Sequence, residues 1–369
     1  MNNITLKKTY LNDIHKKYGG KLVDFHGWEL PVQFEGIIKE HLAVRNSAGI
    51  FDVSHMGQIF VEGKDARCFL DYINSNNVFK LKKGEGIYSH LPNENGGVVD
   101  DVINFCLDEE RFLVIVNATT IQKDYEWFLK NAKNYNVKIY NKSNEYSMIA
   151  LQGPNTPKII QKLVPEILKY PRFGIIEKNI HSKDCFISRT GYTGEDGFEI
   201  TAPNEIITYI WEELMKLGKE YDIKPCGLGA RDSLRLESGY LLYGADIDDE
   251  HSSFEAGYGW VVKLNKGNFL GKEALEKQKK EGIKRKLTGI SIENGILRPG
   301  YKVFKNDKFL GTLTSATYSP SLKKSIGMGY MPPDLQINQE VEVEIRDKKI
   351  KAQIVEIPFY KGGVFFFKL

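Results

Sequence analysis

Apolar residues at Ile206, Ile207, Ile210, Trp211, Leu214 and Leu217 recur with a helical period and fall on one face. Asn204 is placed to cap the start and Gly218 to stop the end, so the pattern predicts a helix over 204–217. Shorter patterns predict helices over 64–72, over 230–237, and from Asn155 onward with Pro157 in the first turn. β-Branched and aromatic runs predict strands at 58–61, 98–106, 112–116, 147–151, 185–188 and 198–201. Strands and helices alternate through the first ~280 residues, which gives an α/β or α+β reading. From Leu287 the period changes. Alternating runs at 287–293, 301–304, 340–345 and 350–357 are separated by Asn294-Gly295, Pro299-Gly300 and Asn306-Asp307, which predicts an all-β sandwich or barrel. The Lys-rich stretch 275–286 between the two regimes reads as a helix tail and linker with a solvated face.

An internal echo accompanies this pattern. A short strand ends at Gly63 and leads into a helix, and another does the same at Gly153. The Gly-rich hairpins Asn95-Gly96-Gly97 and Gly194-Glu195-Asp196-Gly197 follow at comparable distances. Either the chain holds two related units or two α+β segments look alike by chance.

Composition narrows the class. The chain has 369 residues, more than one hydrophobic core usually serves, so two or three domains are expected. It is 41% hydrophobic and 27% charged, in the range of ordinary globular proteins. A net charge of +3 argues neither for nucleic acid nor for a membrane surface. The four cysteines, Cys68, Cys106, Cys185 and Cys226, match no zinc spacing, and three lie in apolar runs, which points to a reducing compartment. The first twenty residues lack the apolar core of a signal peptide, and no run is long enough to span a bilayer. A cytoplasmic location is the simplest expectation.

Gly96-Gly97-Val98-Val99-Asp100-Asp101-Val102-Ile103 places two carboxylates in an apolar strand. An ionised carboxylate removed from water costs several kcal/mol unless it is bonded or paired, roughly the scale of a shifted functional acid. Strand alternation puts Asp100 with Val98, Val102 and Asn104, and Asp101 with Val99, Ile103 and Phe105. The two cannot share one pocket. Either acid could instead cap the Gly96-Gly97 turn. Tyr88 and Asn117 could line one surface with Asp100 if their strands are neighbours.

Thr190-Gly191-Tyr192-Thr193-Gly194-Glu195-Asp196-Gly197-Phe198-Glu199 is a glycine-dense turn entering a strand. Glu199 either sits on an exposed face or serves as an acceptor for an N–H/NH₂ edge. Lys224-Pro225-Cys226-Gly227-Leu228-Gly229-Ala230-Arg231 leads into a helix whose N-terminus could favour an anion. Arg231 and Arg235 share a face there, for a ligand or for ion pairs. The glycines lack the strand–GxGxxG–helix frame of a dinucleotide site. His26 and His55 sit near aromatic residues without metal-ligand spacing, so no metal is expected.

Taken in order, these segments resemble the tetrahydrofolate-dependent aminomethyltransferases, the T-proteins of the glycine cleavage system. The resemblance runs through Val23-Asp24-Phe25-His26-Gly27-Trp28-Glu29-Leu30-Pro31, Phe51-Asp52-Val53-Ser54-His55-Met56-Gly57 and the Gly96–Asp101 segment. It continues through Leu151-Gln152-Gly153-Pro154, Gly191-Tyr192-Thr193-Gly194-Glu195 and Gly229-Ala230-Arg231-Asp232-Ser233-Leu234-Arg235-Leu236-Glu237. Thr314-Ser315, Ser319-Pro320-Ser321-Leu322 and Gly327-Met328-Gly329-Tyr330 extend it to the C-terminal region.

The resemblance implies an α+β fold in which two α+β domains, intertwined over 1–280, and a C-terminal all-β domain over 287–369, barrel or jelly-roll, surround a central folate cavity. It implies transfer of the methylene of an aminomethyl-dihydrolipoyl arm, carried by a lipoylated H-protein, to tetrahydrofolate, with release of ammonia. By position it implies Asp100 as the catalytic acid, with Asp101 structural. It implies Glu199 on the pterin edge, Arg231 as a folate contact, and Tyr88, Asn117, Tyr192 and Met56 lining the cavity, with Trp260 near its mouth. The family's C-terminal tyrosine has no clear counterpart; Tyr360 precedes the tail Gly362-Gly363-Val364-Phe365-Phe366-Phe367. The rival readings are a folate-dependent demethylase or a dimethylglycine or sarcosine oxidase relative, against which the lack of a flavin domain argues, and a non-catalytic folate-binding module.

Overall fold

The computed structural model describes residues 5–363. The chain forms two compact units that do not follow its order. One comprises residues 1–69, 78–87 and 102–231, and the other 70–77, 88–101 and 232–369. The strands Glu85–Pro92 and Val98–Asp108 and the helix Leu228–Glu237 therefore each carry residues of both units.

A six-stranded sheet organises the first unit, in the order Ile175–Ile180, Lys183–Ser188, Gly197–Pro203, Tyr146–Gln152, Gly49–Asp52, Lys224–Pro225. The helix Ile207–Leu217 covers it. Its residues Ile207, Ile210, Trp211 and Leu214 pack on Ile149, Leu151, Ile187, Phe198 and Ile200 from the strands. The helical period thus marks the buried face, as the sequence pattern predicts. Asn204 differs from its expected role. It opens a single 3₁₀ turn, Asn204–Ile206, and its amide bonds Ser147 and the Asn144 carbonyl, not the helix N–H groups.

A five-stranded sheet runs in the order Glu85–Pro92, Val98–Asp108, Arg111–Val116, Gly57–Glu62, Lys138–Asn141. Its four consecutive strands from Gly57–Glu62 are arranged second–third–fourth–first. Those from Tyr146–Gln152 have the same arrangement, so the internal echo is a repeat of topology. Gly63 and Gly153 hold nearly identical backbones, with φ of +130° and +129°. A Cβ at either would lie within 2.5 Å of a carbonyl oxygen, so both strand ends require glycine. The two Gly-rich hairpins do not correspond, however. Asn95-Gly96-Gly97 joins the second and third strands of its set, whereas the Gly191–Gly197 turn joins the third and fourth of the other.

The second unit contains a closed six-stranded barrel, Lys286–Ile292, Lys324–Met331, Lys308–Ser319, Lys302–Lys305, Glu340–Ile345, Lys348–Val355. Ile290, Ile292, Val303, Leu313, Val341, Val343 and Ile354 pack together in its interior, alternating with polar neighbours along the strand Glu340–Ile345. The helix Leu228–Glu237 is tied to this barrel through its C-terminal half. Arg235 bonds Asp246 at 2.6 Å and Ser315 at 2.8 Å, while Glu237 accepts the hydroxyls of Ser319 and Ser321. The matched Thr314-Ser315 and Ser319-Pro320-Ser321 segments therefore anchor a helix. No helix among the described residues is long and apolar enough to cross a membrane.

Candidate active site

In the first unit the glycine turn is pinned from several sides. Arg189 grips the Asp196 carboxylate with two N–H groups at 3.0 and 2.6 Å. Buried Arg45 bonds both the Thr193 carbonyl and Glu195. Gln152 reaches the Thr190 carbonyl and accepts the Thr193 hydroxyl. A Cβ at Gly191 would lie 1.9 Å from the Gln152 amide oxygen, so the glycine lets that clamp close. These contacts fix the backbone that carries Tyr192, whose ring lies under the Arg231 guanidinium at 4.7 Å.

Glu199 leaves this turn on the Gly197–Pro203 strand and is buried. Its Oε2 accepts the Thr190 hydroxyl at 2.5 Å, and Ser188 lies 2.6 Å from Thr190 in the same line. With its only proton committed to Glu199, Thr190 accepts from Ser188. Among the described residues, no protein donor meets the second carboxylate oxygen. Burial raises the Glu199 pKa above the usual carboxylate value, against the opposing pull of the Thr190 bond and the Arg231 charge. The exposed-face alternative for Glu199 is thereby removed. His55 belongs to the same neighbourhood. Burial and then the Arg231 charge push it down to about 4, so it is neutral at physiological pH.

Met56 and Asn117 flank the paired residues Gly57 and Val116, so they lie side by side at one end of the five-stranded sheet, both half-buried. Gly227, just before the helix Leu228–Glu237, has its N–H committed within the protein. Its N–H donates to Glu40 Oε2 at 2.8 Å, and Glu40 Oε1 takes the Phe34 and Gly36 N–H groups. Gly227 is small because a Cβ there would lie 2.5 Å from the Val32 carbonyl.

In the second unit the two acids separate as strand alternation requires. Asp100 has no exposed surface. Asp101 is half-buried, and its Oδ2 accepts the Tyr88 hydroxyl at 2.9 Å. The carboxylate that joins the candidate residue Tyr88 is Asp101, whereas Asp100 lies on the buried side with Val98, Val102 and Asn104. The Gly96-Gly97 turn is capped by Asn93, whose Oδ1 takes the N–H groups of Asn95 and Gly97. Trp260 stacks on Tyr88 with centroids 6.0 Å apart. Two groups near Tyr88 escaped the sequence reading, His90 and Ser253. His90 shares the face of Tyr88 two residues along the Glu85–Pro92 strand, a signal alternation could have given, whereas Ser253 meets them only through the fold.

All four cysteines are free; Cys106, Cys185 and Cys226 are buried and Cys68 is exposed. No group of three or more His, Cys, Asp or Glu able to hold a metal occurs among the described residues.

Family models give these groups their setting. The GCVT N-terminal domain matches residues 11–266, and the glycine cleavage T-protein C-terminal barrel domain matches 285–361. The chain belongs to the glycine cleavage T-protein family. The aminomethyltransferase of Thermoanaerobacter pseudethanolicus is 49% identical over 360 residues, spanning 96% of this chain and 98% of that protein. That of Bacillus mycoides is 48% identical over 363 residues, spanning 97% and 99%. The crystal structure of the glycine cleavage system aminomethyltransferase T from Bartonella henselae superposes with a TM-score of 0.91 at 34% identity, covering 98% of this chain and all of that one. T-protein relatives thus account for nearly the whole length, the barrel included. The part of the tail beyond Gly363, where a family tyrosine was sought, lies outside the described residues.

Proposed function

We propose that this T-protein family member transfers the methylene of an aminomethyl-dihydrolipoyl arm, carried by H-protein, to tetrahydrofolate with release of ammonia. The observation that supports a folate ligand is Glu199: a buried carboxylate with one oxygen that no described protein donor meets. Such a group suits a flat ring edge presenting adjacent N–H donors, which a pterin has. Tyr192 and Arg231 present a ring and a cation from the same unit, suited to an aromatic and anionic ligand. Met56 and Asn117 are proposed as further lining residues.

Tetrahydrofolate, when bound, supplies the two nitrogens that take up the methylene and the two protons that leave with sulfur and ammonia. Asp101 is the acid we assign to the reacting carbon. As the C–S bond breaks, positive charge grows on that carbon, and a carboxylate shielded from bulk water stabilises it. The Tyr88 hydroxyl fixes the carboxylate's orientation, and Trp260 stacked on Tyr88 limits water around it. H-protein and a cytoplasmic setting are part of this proposal.

The assay that separates the readings supplies tetrahydrofolate and aminomethyl-loaded H-protein and follows ammonia. We expect ammonia and methylene-tetrahydrofolate in equal amounts. Folate binding without ammonia would identify a binding module instead.

A further inference from the structure

Tyr88 does not act on Asp101 alone. Its hydroxyl also lies 3.1 Å from His90 Nε2, and His90 Nδ1 lies 2.8 Å from the Ser253 hydroxyl. His90 and Ser253 are both buried, and the His90 ring stacks on Tyr258 at 5.7 Å with 21° between planes. The four polar groups form one line, Ser253–His90–Tyr88–Asp101, within the second unit.

Only one arrangement of protons satisfies that line. An ionised carboxylate can only accept, so the single Tyr88 proton points to Asp101. Tyr88 must then accept from His90, which places a proton on Nε2. A neutral imidazole with Nε2 protonated has a bare Nδ1, and Ser253 is the group that donates to it. Were the ring in its other tautomer, Nε2 would draw the Tyr88 proton to itself. Two oxygens 2.9 Å apart would then face each other with no proton between them. Neutrality is reinforced by burial, which pushes His90 down to about 3.

We propose that His90 is a positioning residue for the transfer reaction: Ser253 fixes it as the Nε2–H tautomer, and it commits the Tyr88 hydroxyl proton to Asp101. This rests on the assignment of Asp101 made above. His90 would touch neither substrate nor reacting atoms. It acts by keeping the acid oriented and stabilised as an anion.

The test uses the full-length enzyme with ¹⁵N-labelled histidine. In the wild type the His90 nitrogens should show a neutral ring protonated at Nε2. Ser253→Ala removes the donor to Nδ1, so the other tautomer should gain population and kcat should fall about tenfold, the equivalent of one hydrogen bond, with KM for tetrahydrofolate little changed. His90→Leu should lose at least as much. His90→Gln, whose amide N–H can still reach Tyr88, should recover most of the rate. A wild-type ring protonated at Nδ1 would overturn the proposal. So would wild-type kcat in both folded Ser253→Ala and His90→Leu while Asp101→Asn is inactive. Retained turnover in Asp101→Asn is a different failure, because it would remove the acid assignment itself.

Discussion

A carboxylate that is buried and accepts only one hydroxyl is harder to ionise than one in water, and Glu199 is that residue in the first unit. Its pKa lies above the ordinary 4.5, first because of burial. A ligand with two N–H donors needs the ionised form. The sign follows: folate affinity should be weak at low pH, rise as pH passes through the raised Glu199 pKa, and then level off. Calorimetry across the acid-to-neutral range checks this. Glu199→Gln should bind about 10–100-fold more weakly and lose that rise. An unchanged pH dependence in the variant would contradict the role. At this scale the sequence was informative about residue types and less so about faces. The acidic strand and its alternation were legible, because a period of two follows from backbone geometry alone. Which acid faces Tyr88 depends on how a second strand is placed, and no local pattern encodes that.

At the scale of elements, buried Lys266 shows how loops are held where sequence patterns are silent. Its ammonium donates to the carbonyls of Asp71, Asn74 and Asn76 and pairs with the Asp71 carboxylate at 3.2 Å. One carbonyl in the last turn of the Ala66–Ile73 helix and two in the segment after it thus share one cation. Lys266→Met keeps the stem and removes the donor. Urea unfolding should show a loss of about 2–5 kcal/mol, because three acceptors and a carboxylate are left without it. A loss within the scatter of surface substitutions would mean water replaces the ammonium readily. The repeated strand–helix unit was visible from Gly63 and Gly153 because both sit where only glycine fits. The barrel strands Lys308–Ser319 and Lys324–Met331 were not among the predicted runs. Glycines interrupt their apolar pattern, and a Cβ at Gly311 or Gly329 would lie 2.0 or 2.2 Å from a carbonyl of the neighbouring strand. Close strand approach, not turning, explains them.

For the whole molecule, the two compact units are assembled from interleaved segments, with 70–77 and 88–101 joining residues far along the chain. No composition shift marks such boundaries, since buried apolar stretches in both units look alike. The C-terminal barrel was legible because its alternation is regular and its turns are punctuated. The chemistry was legible only from motifs in order, and the choice of Asp101 over its neighbour Asp100 is our proposal from the Tyr88 contact. Ammonia release from aminomethyl-loaded H-protein, measured with saturating tetrahydrofolate for the wild type, Asp100→Asn and Asp101→Asn, tests it directly. We predict that Asp101→Asn lowers kcat by about 10²–10³-fold with folate affinity nearly intact, while folded Asp100→Asn stays within about threefold of the wild type. The reverse order, with Asp100→Asn inactive and Asp101→Asn near wild type, would contradict the assignment.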